Sequence, residues 1–150
     1  MSALPPTPPG HPRLDALPEW PVKTIAVLST LDDGPYAIPV SAPLRAGDRR
    51  ILLSLRRDRG SLARLRSRPE VALTVLAAGD VALTARGRAS VVREHMESGD
   101  DYAAVAMDVE QIEDHRQAAF DVAAGVDRTW RSPAEQRDLG ARVRELSELA

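Results

Sequence analysis

Apolar and polar residues alternate at period two along the first half of the chain. Ile25 and Val27, then Tyr36, Ile38 and Val40, then Ile51, Leu53 and Leu55 each mark one face of a half-buried strand. The pattern predicts strands over Thr24 to Thr30, Tyr36 to Ser41 and Arg50 to Leu55, with Asp32-Asp33-Gly34 turning the first pair into a hairpin. Leu62 and Leu65 stand at helical spacing ahead of Pro69 and predict a short helix. Val71 to Leu76 is almost wholly apolar, which reads as a fourth strand buried on both faces. In Val81 to Val92 the alternation is clean: Val81, Leu83, Ala85, Gly87, Ala89 and Val91 oppose Thr84, Arg86, Arg88 and Ser90. That is a long strand, with Gly87 as a bulge or bend.

From Glu94 onward two periods compete. Tyr102, Val105, Ala106, Val109 and Ile112 fit a helix, while Met107 and Val109 alternating with Asp108 and Glu110 fit a strand. The reading adopted is a helix from about His95 to Val105 and then a strand. Ser132-Pro133-Ala134-Glu135 is a capping box with proline at the first helical position, and Leu139, Val143, Leu146 and Leu149 follow at helical spacing. An amphipathic helix over 133–149 is expected, its stripe covered by the same domain or by a second subunit. At the other end, Pro5, Pro6, Pro8, Pro9 and Pro12 predict a disordered or polyproline arm over 1–13, leaving one domain over 14–150. Leu14 to Trp20 reads as a short docking turn or helix.

Composition narrows the chemistry. A 150-residue chain can bury roughly 68–70% of its unfolded surface, enough for one core. Without cysteine there are no disulfides, thiol nucleophiles or Cys-based zinc sites. Met1 to Pro12 has neither a basic nor an apolar signal region, and no apolar run reaches membrane length, so a cytoplasmic protein is expected. The net charge of −2 conceals an asymmetry. Arg45 to Arg68 holds nine arginines against Asp48 and Asp58, whereas Glu94 to Asp121 holds nine acids against Arg116. Two solvated faces account for this as well as an anion-binding segment does.

Candidate chemistry concentrates after Leu55, where Ser54, Arg56, Arg57, Arg59, Ser61 and Arg64 run into the short helix. Free N–H groups at a helix start and forked guanidinium groups suit a phosphate. Arg86 and Arg88 could meet an anionic ligand or pair with the acidic segment. His11, His95 and His115 are too scattered for a metal site, and no Gly-x-Ser-x-Gly, Walker or Gly-x-Gly-x-x-Gly motif occurs. Asp32-Asp33, Asp100-Asp101 and Glu113-Asp114 are adjacent pairs rather than opposed carboxylates. An acidic pI and few aromatics argue against nucleic acid as a partner.

The segments Thr-Ile-Ala-Val-Leu-Ser-Thr, the Asp-rich turn, Pro-Tyr-Ala-Ile-Pro-Val-Ser and Arg-Ile-Leu-Leu-Ser before the basic turn resemble the pyridoxamine 5'-phosphate oxidase-like superfamily of flavin-binding split β-barrels. Leu65 to Pro69 running into Val71-Ala-Leu-Thr-Val, and Leu83 to Val92 around Arg86-Gly87-Arg88-Ala89, extend the likeness over about residues 20 to 115. The resemblance implies a six- to seven-stranded antiparallel split barrel, with peripheral helices, acting as a homodimer on a small-molecule substrate. It implies FMN or coenzyme F420 as cofactor, its phosphate held near Ser54, Arg56, Arg57, Ser61 and Arg64, its ring along Pro39, Val40 and Ser41. Many relatives carry Lys or Arg where Ser61 stands and Asn where Arg64 stands. Flavin-dependent oxidoreduction is the function implied, with no catalytic side chain assigned. A non-catalytic flavin- or haem-binding carrier on the same barrel is the alternative.

Overall fold

One antiparallel sheet organises the chain, and its longest strands set its curvature. The computed structural model describes residues 10–150. Within them run β1 (Arg13–Leu14), β2 (Ile25–Leu31), β3 (Pro35–Ser41), β4 (Leu44–Arg45), β5 (Arg50–Arg56), α1 (Gly60–Ser67), β6 (Glu70–Ala77), β7 (Val81–Arg93), β8 (Tyr102–Asp114) and α2 (Pro133–Glu148). The strand order is β3-β2-β6-β7-β8-β5-β4, with β1 added to β8. The sheet curls until β3 approaches β5, yet no ladder joins them. A barrel open along one seam results, the split barrel expected. It has eight strands because β1 and β4, two residues each, are too short to leave a period.

The hairpin forms as its turn predicts, with the Asp32 amide donating to the Gly34 carbonyl at 3.0 Å. Leu28, Leu53, Leu73, Val75, Leu83, Ala85, Val105, Met107 and Ile112 fill the barrel interior and are fully buried. Of the expected N-terminal arm, residues 1–9 lie outside the described residues, and Arg13 already pairs with Glu113. Leu14 to Trp20 forms neither turn nor helix of its own: Leu14 sits in the sheet, and the Leu17 amide donates to the Asp48 carbonyl.

The helix expected from His95 to Val105 does not form. Tyr102–Asp114 is one strand, reached through a tight turn closed by a Met96–Gly99 bridge. The helical spacing has a sheet origin. Arg86 pairs with Gln111 while the next residue, Gly87, pairs with Val109, so Glu110 is an extra residue on β8. Such a bulge shifts the inward phase by one and puts Val109 and Ile112, three apart, in the same core. Gly87 lies opposite this bulge, where an added Cβ would stand 2.0 Å from the Asp108 carbonyl oxygen.

Burial on both faces was expected of Val71 to Leu76, but Leu76 is half exposed. The doubly buried strands are β5 and β8, because α2 covers their outer face. Leu146 of α2 joins Leu52, Met96, Ala104 and Ala106 in a second core. The α2 stripe is thus covered by its own domain. Its start shows the Ser132 half of the predicted capping box, the Glu135 amide donating to Ser132 Oγ at 3.3 Å with Pro133 in the first turn. No described helix is long and apolar enough to cross a membrane.

A buried carboxylate fixes α2 to the turn between β7 and β8. Glu145 is 5% exposed; its Oε1 accepts from the Ser98 amide and hydroxyl at 2.7 and 2.6 Å. Its Oε2 accepts from Arg93 Nη1 and the Glu97 amide at 2.9 and 3.0 Å. Burial alone would raise the pKa of this carboxyl, but the bonds from Ser98, Arg93 and Glu97 outweigh it and hold the group at about 2. A carboxyl depressed on folding stabilises the protein above its unfolded pKa of 4.5 and loses that contribution as pH falls toward 2. Glu145→Ala is therefore expected to cost about 3 kcal/mol at neutral pH by leaving Arg93 and two amides unpaired. In thermal melts the gap between wild type and variant should be constant above pH 5 or so and close as pH drops through the window below 4.5.

Candidate functional site

The seam between β3 and β5 forms a cleft of about 440 Å³. Ile38, Pro39, Val40 and Ser41 line one bank; Ser54, Leu55 and Arg56 line the other. The start of α1 supplies Arg59, Gly60, Ser61 and Arg64, and Tyr102 and Arg142 complete the lining. Four arginines and no carboxylate line it. The N-terminus of α1 opens there without a cap: Arg59 is the N-cap residue, its side chain makes no capping bond, and the first turn holds no acid. The amides of that turn retain their donor capacity and partial positive charge.

Ser61 sharpens the picture. The residue is 1% exposed, and among the described residues its Oγ has no hydrogen-bond partner. Hydroxyls buried without a partner are uncommon and ask for an explanation, since each carries an uncompensated desolvation cost. Ser61 lines the cleft together with the uncapped start of α1 and four arginines, groups suited to an anionic oxygen.

The arginines are not equivalent. Arg56 is forked on Asp58, Nε and Nη2 each at 3.0 Å from a carboxylate oxygen. That bond and charge raise the Arg56 pKa further, and the same bond holds Asp58 below the usual carboxylate range. Arg59 stands 3.9 Å from Asp58. Arg64 donates from Nε to Thr30 Oγ1 at 2.9 Å and lies 4.1 Å above the Tyr36 ring, which ties α1 to the β2–β3 hairpin. Arg57 points elsewhere, with Nη1 3.1 Å from His95 Nδ1. It lines a shallow hollow with Asp58, Asp100 and Asp101 instead of the cleft.

Of the residues singled out in the sequence, Pro39, Val40, Ser41, Ser54, Arg56, Ser61 and Arg64 thus come together in one cleft. Arg57 stays outside it. Arg86 and Arg88 face the outer side of the sheet and pair with Glu113 at 3.7 Å and Glu70 at 3.0 Å. Tyr102 and Arg142 were not singled out. Tyr102 falls in the segment whose spacing suggests a helix, but Arg142 carries a signal: it lies three residues after Leu139 and four before Leu146, a charge on the apolar stripe of α2.

The curled antiparallel sheet with one open seam is a split barrel, and the chain has the fold of the pyridoxamine 5'-phosphate oxidase-like proteins. A candidate pyridoxamine 5'-phosphate oxidase from Listeria innocua superposes with a TM-score of 0.52 at 17% identity, over 63% of this chain and 90% of that one. HupZ of Group A Streptococcus gives 0.54 at 14% identity, over 69% and 90%. An F420 reductase gives 0.53 at 13% identity, over 62% and 91%. No protein-family model and no curated protein sequence matches the chain.

Replacing Ser61 with Ala deletes a buried hydroxyl that has no partner, so the melting temperature is expected to stay level or rise slightly. A Ser61 with a hidden partner in the free protein would instead lose on the order of 1 kcal/mol, which a thermal or urea melt resolves.

Proposed function

We propose that the seam cleft binds a phosphate-bearing flavin-type cofactor, FMN or F420, and that the protein is an oxidoreductase acting on a small organic substrate. The observation that supports this best is the uncapped start of α1 with the buried, unpartnered Ser61 hydroxyl in a cleft free of carboxylates. In this reading Ser61 Oγ and the amides of the first α1 turn hold the phosphate. Arg59 and Arg64 balance its charge, and Arg56 adds to the field from beside Asp58. Ser54, near the end of β5, lines the same cleft. Ile38, Val40 and Leu55 give a flat apolar wall for a ring, and the backbone around Pro39 and Ser41 offers polar groups along the seam. When bound, the cofactor supplies the redox step, exchanging a hydride with the substrate. The chain's own part is to bind, orient and partly desolvate the two.

A homodimer is part of the proposal. Val22, Leu76, Phe120 and Val126 are 60%, 50%, 60% and 67% exposed, apolar area that a second copy could cover. Light scattering is expected to give twice the chain mass.

Titration of the purified protein with FMN and with F420, followed by absorbance and fluorescence, tests the cofactor. Tight binding of one is expected, and Ser61→Ala should weaken it about tenfold, the equivalent of one lost hydrogen bond to a charged group. Arg57→Ala should leave it within about twofold, since Arg57 faces His95. Binding of neither cofactor would overturn the proposal. Tight binding with no turnover on quinone or enone acceptors would make the protein a carrier instead.

A further inference from the structure

Arg142 is the cleft arginine with neither a hydrogen bond nor an ion pair among the described residues. By contrast, Arg56 has Asp58 and Arg64 has Thr30. The Nε of Arg142 is buried and unpartnered. The guanidinium lies 3.9 Å from the centre of the Tyr102 ring. An added Cβ on Gly99 would sit 3.3 Å from Tyr102 Cδ2 and 3.8 Å from Arg142 Cδ, so a glycine there leaves room for the stack. The helix that carries Arg142 is pinned three residues later by Glu145, which is held by Ser98, Glu97 and Arg93. The guanidinium is therefore held in place before any ligand arrives, with its donors unspent.

Topology separates this group from the α1 site. Arg64 is tied to Thr30 and Tyr36 on the β2–β3 bank, while Tyr102 pairs with Arg56 on the β5–β8 bank. We propose that Arg142, held on Tyr102, is a second anion-recognising arm of the cleft, which takes a carboxylate through its guanidinium fork. A planar, stacked guanidinium presents parallel N–H groups that match the two oxygens of a carboxylate, and stacking leaves that edge free. The carboxylate belongs either to the substrate or to the glutamate-bearing tail of F420. The position of Arg142 beside the cofactor rests on the function proposed above, but its anion preference does not.

The test compares wild type with Arg142→Ala, using FMN, F420 and fumarate as probes in calorimetric titrations. FMN affinity is expected to change less than about twofold, and the affinity for one carboxylate probe to fall at least tenfold. Loss for fumarate alone assigns the arm to a substrate carboxylate; loss for F420 alone assigns it to the cofactor tail. Arg142→Gln, which keeps the stem on the ring but not the charge, should repeat the loss and serves if the alanine variant does not fold. Equal affinity of wild type and variants for both carboxylate probes would overturn the proposal, as would a wild type that binds neither. If FMN and F420 fail to bind wild type while fumarate binding still depends on Arg142, the cofactor reading falls and this one stands.

Discussion

The seam that β3 and β5 do not close is the constraint on which the rest of this structure depends. A sheet curled this far would ordinarily finish as a barrel, because closure removes the last free edge. Pro35 and Pro39 share one parity along β3, and the β2–β3 register runs without interruption from Leu31↔Pro35 to Ile25↔Ser41. The N–H groups the prolines lack therefore fall on the free edge, as proline in an edge strand requires. β3 cannot offer that edge a regular ladder, so it approaches β5 without pairing. Polar backbone and the apolar ends of two strands are left along one groove, the raw material of a ligand site.

Charge is distributed to match. On the outer surface, Arg66, Arg88 and Arg116 each meet a carboxylate, at 2.6, 3.0 and 2.8 Å, exposed pairs that add little to stability and mainly neutralise the face they sit on. In the cleft that neutralisation is incomplete. Asp58 meets Arg56 from outside the lining, Arg64 leans on a hydroxyl and an aromatic ring, and Arg142 on a ring alone. Arginines on the outer surface thus find carboxylates, whereas those at the seam keep part of their charge unmatched. A basic segment in a chain of net charge −2 becomes a local field only because the fold decides which arginines find partners.

The hairpin, β5, α1, β7 and the capping box of α2 were legible because each rests on local signals: alternation, an Asp-Gly turn, Pro69, and Ser132 ahead of Glu135. The cleft residues on β3, β5 and α1 were legible for the same reason, as they surround one basic turn. What escaped depends on partners far along the chain. The start of β8 was hidden because residues 103–107 are buried on both faces, Ala104 and Ala106 under α2 and Ala103, Val105 and Met107 in the barrel, which erases the period-two alternation of a strand. The burial of β5 and β8 on both faces depends on where α2 lands. Tyr102 and Arg142 meet across forty residues, and only the charge within the α2 stripe hinted at it.

Helix α2 joins these strands of reasoning. Its apolar stripe could have been satisfied by Leu139, Leu146 and Leu149 alone, yet Glu145 and Arg142 occupy positions beside or within that stripe. A carboxylate buried at Glu145 is a poor means of gaining stability, since an apolar side chain of similar volume serves as well or better in many cores. What a carboxylate with four donors does supply is register: it fixes α2 against Glu97 and Ser98 to within hydrogen-bond tolerance. One helical turn away, that precision sets the guanidinium of Arg142 over Tyr102 at the cleft. The polar clasp makes physical sense as a locating device for the cleft, because a greasy contact at Glu145 would hold the helix without specifying where Arg142 points.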